Sequence, residues 1–170
     1  SITLQGIWSS LMETLAISSS IFIIAVGASM LTRFFTFSGV SDSITDLVVG
    51  SGITPLLLIL AIAAIYLVLG MFLEPIGAML LTLPILLPLV ESAGIERPWF
   101  GVLVAKLLEI GMITPPIGLN VFVLKGVMGD RVSTGTIFAG VTYFILADIA
   151  IIALLVAFPG IILFTKFVLP

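Results

Sequence analysis

The chain contains no cysteine and no histidine. The first absence removes thiol nucleophiles and disulfides. The second removes imidazole acid–base catalysis and haem ligation by histidine, and the two together remove the common zinc sites. Charge is scarce too: six Lys and Arg and nine Asp and Glu make 9% of 170 residues, where a soluble domain carries roughly 25%. So few ionisable groups cannot cover the surface of a water-soluble globule. The composition, 61% hydrophobic with a mean hydropathy of +1.41, excludes a soluble enzyme and a disordered chain. A net charge of −3 without a basic run argues against binding nucleic acid. What remains is an integral membrane protein whose chemistry rests on carboxylates, hydroxyls and backbone carbonyls. The chain begins at Ser1 with no charged leader before its first apolar run, so it reads as a segment of a longer polypeptide.

A membrane-spanning helix needs about 20 apolar residues. The first such run covers residues 8–31, with Glu13 near its start and Arg33 at its close. Residues 34–52 mix Ser, Thr, Gly, Asp42 and Asp46 with Phe37, Val40, Ile44, Leu47 and Val48 at helical spacing, which predicts a short amphipathic helix in the interface. Residues 53–73 form a second span, with Pro55 in its first turn where proline is tolerated. Residues 74–94 are long enough to span but carry Pro84 and Pro88 in the middle and a carboxylate near each end, Glu74 and Glu91. Each proline removes a backbone donor, so an interruption is expected near residues 82–88, giving a re-entrant hairpin of two half-helices; a kinked span is the alternative. Residues 99–128 are broken by Ile-Thr-Pro-Pro-Ile-Gly-Leu-Asn, which predicts a discontinuous helix with halves meeting between Gly111 and Pro116. Residues 136–158 make a last span containing Asp148, and 159–170 form a tail. No period of 20–50 residues repeats along the whole chain, which excludes a solenoid. The fold class is therefore all-α integral membrane, in three parts: residues 1–52 a scaffold helix with the interfacial segment, 53–128 a unit built on hairpin 74–94 and broken helix 99–128, and 129–170 a C-terminal helix and tail.

Backbone that leaves the helix inside a membrane survives only when buried in protein or lining a wet cavity. Two such breaks close in sequence point to a transporter binding site. Unwound carbonyls at Gly111, Ile113 and Thr114 can hold a small cation, and a half-helix starting near Pro116 presents a positive dipole end to an anion. The hydroxyls of Thr82 and Thr114 and the Asn120 amide add neutral polar groups. Read blandly, the prolines kink buried helices and nothing more.

The strings GMFLEPIGAMLLTLPILLPLVESAGI (residues 70–95) and WFGVLVAKLLEIGMITPPIGLNVFV (residues 99–123) resemble the large membrane subunit of TRAP (tripartite ATP-independent periplasmic) transporters, most densely over residues 70–127. In that family the large subunit carries two inverted repeats, each with a helical hairpin and a discontinuous helix, and this chain resembles the second. The resemblance implies Na⁺-driven uptake of an organic anion, a carboxylate of the C4-dicarboxylate or sialic acid class, by an elevator motion in a bacterial inner membrane. Its implied partners are an N-terminal repeat of the same permease, a small membrane subunit, a periplasmic binding protein and the lipid bilayer. No cofactor is implied beyond Na⁺ as coupling ion. Carried onto this sequence, the cation sites fall at Gly70, Thr82, Pro84, Gly111, Thr114 and Ile117, and the anion site at Thr114, Pro115, Pro116 and Asn120. The chain departs from many relatives in having Glu74 where an Asp stands at or beside that position, and Lys106 and Glu109 where the family has small or polar residues.

Ionisable residues inside apolar runs are functional candidates by default. Lys106 and Glu109 lie three apart on one helical face and can pair; Glu13 is placed near headgroups. Asp148 has no basic neighbour within a turn, which leaves protonation, a partner on another segment, or a proton relay. Trp8, Trp99 and Tyr143 fit anchoring or packing. If hairpin 74–94 returns to its own side, Arg33, Lys125 and Arg131 share one face and Arg97 and Lys166 the other, and three against two favours the first face as cytoplasmic. The rivals to a transporter are an ion channel, which also uses broken helices, and a non-transporting membrane scaffold. A membrane enzyme lacks any nucleophile–base pair.

Overall fold

A computed structural model describes residues 3–164; Lys166 and the rest of the tail beyond 164 lie outside the described residues. Every regular element among the described residues is helical. The order is α1 (Leu4–Ser38), α2 (Val40–Gly50), α3 (Pro55–Phe72), α4 (Pro75–Ser92), α5 (Arg97–Ile113), α6 (Leu119–Met128), α7 (Thr134–Ala157) and α8 (Gly160–Leu163), with one 3₁₀ turn at Gly129–Arg131. Four of them, α1, α3, α4 and α7, are long and apolar enough to cross a membrane.

Helix starts follow the sequence closely. Thr54 accepts a hydrogen bond from the Leu57 amide and Pro55 occupies the first helical position of α3. Ser133 caps α7 through the Thr136 amide at 3.1 Å, and Thr3 caps α1 through Gly6. The first helix is longer than residues 8–31 because nothing between Thr3 and Gly39 stops it: Glu13 and Arg33 bound the apolar stretch, not the helix. The chain then turns at Gly39 into α2, the short helix expected within 34–52.

The expected interruption at 82–88 is absent: α4 is one continuous helix from Pro75 to Ser92 with both prolines inside it. A proline interior to a helix costs roughly 3 kcal/mol, but α4 is packed by α1, α2 and α5 as well as α3, and this packing overrides the local penalty. The hairpin that forms is one element earlier. α3 and α4 run antiparallel about Leu73 and Glu74. Tyr66 Oη meets Thr82 Oγ1 at 2.6 Å halfway along, and Leu58 near the start of α3 lines one 150 Å³ cavity with Leu89 and Ser92 near the end of α4. The hairpin tip is therefore an ordered turn, closed by Glu74, whose carboxylate accepts from the Ile76 and Gly77 amides.

The core centres on α5. Trp99, Phe100, Leu103, Val104, Leu107, Leu108 and Gly111 recur at three and four residues and are buried against Leu58, Ile62 and Tyr66 of α3 and Ala78, Leu89 and Val90 of α4. α3 and α5 are parallel: Ile59 and Trp99 line one groove at their starts, and Gly70 meets Gly111 at their ends. The outer faces of α1, α6 and α7 remain rich in exposed Leu, Ile, Val and Phe, a surface suited to lipid or to further protein.

Candidate functional site

The ends of α3 and α5 arrive at the same place. A Cβ added at Gly111 would lie 2.7 Å from the Gly70 Cα and 2.9 Å from the Leu67 carbonyl oxygen; one added at Gly70 would lie 2.8 Å from the Leu108 oxygen. Only glycine at both positions lets the backbones of α3 and α5 touch here. Two residues later each helix stops, α3 at Phe72 and α5 at Ile113. Parallel helices ending together bring two negative dipole ends to one region.

Prolines decide which carbonyls are left there. A helix carbonyl bonds the amide four residues on. For Met71 that position is Pro75 and for Met112 it is Pro116, neither of which has an N–H. Gly111 would likewise need Pro115, and accepts instead from the Thr114 amide at 3.1 Å. Thr114 Oγ1 donates to the Ile110 carbonyl at 2.6 Å, which spends its proton and leaves its lone pairs. Beyond the Pro115–Pro116 bond, which is cis, Gly118 adopts φ 60° against the Phe138 ring, and only then does α6 begin. The α6 start has no side-chain cap: Val121 gives its amide to the Gly118 carbonyl at 2.8 Å, and the amides of Leu119 and Asn120 precede that first bond.

The sequence matches one family model over residues 1–161, the DctM component of the tripartite ATP-independent periplasmic transporter. The chain belongs to the DctM family. It is similar to the C4-dicarboxylate TRAP transporter large permease protein DctM of Vibrio cholerae, 37% identical over 62% of this chain and 23% of that protein. It is 30% identical to the sialic acid TRAP transporter permease SiaT of Haemophilus influenzae over 96% of this chain, covering 26% of SiaT. The sialic acid large permease SiaM of Vibrio cholerae is also 30% identical, over 93% of this chain and 36% of its own length. The chain thus spans between about a quarter and a third of the length of these three relatives. Those relatives are transporter permeases, not enzymes.

Within this family fold, Gly70, Gly111 and Thr114 come together, with Ile117 and Pro116 in the turn that follows. Pro115 and Pro116 are exposed, as is Asn120 in the first turn of α6. Thr82 and Pro84 do not form a hairpin tip. Thr82 sits in mid-helix, its hydroxyl donating to the Ala78 carbonyl at 2.7 Å and so accepting the Tyr66 hydroxyl, level with a point one turn before Gly70. Sequence reasoning missed Met71 and Met112. The signal was present: Gly-Met-x-x-x-Pro occurs at both 70–75 and 111–116, once at the end of each parallel helix.

Proposed function

We propose that this chain is the half-site of a Na⁺-coupled permease that imports a small organic carboxylate through a bacterial inner membrane. The observation that carries the reading is the joint end of α3 and α5 at Gly70 and Gly111, where prolines have removed the ladder donors of Met71 and Met112. Na⁺ prefers several hard oxygen ligands, and these carbonyls with the Thr114 hydroxyl supply them. The uncapped start of α6, with the Asn120 amide beside it, offers a positive dipole end to a carboxylate. In this reading the cation has backbone and hydroxyl oxygens as its ligands.

The substrate class follows from the relatives' names, which specify C4-dicarboxylate and sialic acid. A site between repeats requires a second wall, so a preceding repeat completes the cleft. A small membrane subunit and a periplasmic binding protein complete the assembly, α1 and α2 belong to its static scaffold, and the α3–α4 hairpin moves in an elevator stroke. The test is uptake by the full permease reconstituted with those two partners. Accumulation driven by a sodium gradient is expected. Thr114→Ala should shift the sodium dependence to several-fold higher concentration while Thr114→Ser retains it. Uptake indifferent to sodium, or anion flux without the binding protein at channel rates, would overturn the reading.

A further inference from the structure

Two polar contacts outside this site join α7 to α5. Lys106 Nζ lies 2.7 Å from Asp148 Oδ1 and 2.8 Å from Glu109 Oε2. Asp148, which has no basic neighbour on its own helix, thus finds its partner across the helix pair, with only 14% of its side chain exposed. Two turns away the buried Trp99 indole donates to the Leu155 carbonyl at 2.9 Å. That carbonyl needs a partner: four residues on is Pro159, which has no amide hydrogen to give. The two contacts are in register. Trp99 and Lys106 are seven residues apart on α5, and Asp148 and Leu155 are seven apart on α7, running the other way. Sliding one helix past the other by a turn would break both at once and leave an ion and a carbonyl unpartnered in an apolar setting.

We infer that Lys106 and Trp99 are positioning residues that fix the register of α7 on the broken helix, so that α7 travels with α5 as one body during transport. The inference builds on the transporter reading above. It assigns α7 to the moving part, since slippage against α5 would break both contacts together. It also gives the charges inside the apolar runs a mechanical role in place of a proton relay.

These 170 residues carry no cysteine, so the test is direct in the full permease with its partners once any cysteines elsewhere in the assembly are replaced. In the register that sets 99 against 155 and 106 against 148, position 102 faces 152. Val102→Cys with Ile152→Cys, joined by a short bis-maleimide, should keep most of the uptake rate of the same protein before cross-linking. Loss of uptake on cross-linking would overturn the inference, because it would mean that α7 must shift against α5. A second measurement needs no transport and so separates this inference from the proposed function. Lys106→Met and Asp148→Leu should each lower the apparent Tm by several degrees, and the double variant should lose less than the two losses combined. A strictly additive double loss would show that the pair does not hold the two helices, and would overturn the inference even if sodium-driven uptake were established.

Discussion

A single methyl group is enough to probe the candidate site. At Gly111 the three nearest atoms that an added Cβ would meet, all within 3 Å, belong to the α3 backbone, which cannot rotate away as a side chain can. Gly111→Ala should therefore force the helices apart, at about 1–3 kcal/mol, and should lower thermal stability and uptake together. Gly101→Ala is the matched comparison on the same helix: a Cβ there meets nothing within 4 Å. It should be neutral or raise stability by about 0.5–1 kcal/mol, the ordinary helix preference for alanine over glycine. A thermal-shift series on both variants checks the pair, and equal effects would sink the backbone-contact account. Tyr66→Phe is a milder case. It removes the donor to Thr82 without opening a cavity, and a loss of about 0.5–1 kcal/mol is expected, as for other hydrogen bonds between membrane helices.

At the level of elements, what the sequence revealed depends on how local the cause is. The start of α3 was readable because Thr54 and Pro55 act on their own turn, and the break after Ile113 because Pro115 and Pro116 do the same. The continuity of α4 was not readable, because the forces that keep Pro84 and Pro88 inside it come from α1, α2 and α5. Nor could the chain order of residues announce that Asp148 would meet Lys106, or that Gly70 would meet Gly111, since each is a contact between distant segments. A continuous α4 makes a specific prediction. Pro88 is exposed, so Pro88→Ala should restore a helix donor without disturbing packing and leave the apparent Tm unchanged or higher. Were 82–88 the tip of a re-entrant loop, the same change should be damaging.

For the molecule as a whole, the antiparallel course of α3 and α4 and the matched antiparallel pair α5 and α7 sort the chain into two ends. Ser92, Arg97 and Ala157 lie at one end, the latter pair brought together by the Trp99–Leu155 contact. The hairpin tip and the start of α7 lie at the other, the second held near Gly118 through Phe138. Single cysteines at Ser92 and Phe158 should therefore react with an impermeant thiol reagent from the same side of the membrane, and reaction from opposite sides would refute this arrangement. The same indole contact also makes the protein report on itself. Of the two tryptophans, Trp8 is 65% exposed and Trp99 only 4%. With Trp8→Phe in place, every photon of indole emission from this chain would come from the junction of α5 and α7. Undocking of that junction would then be visible as a red shift, with no label attached.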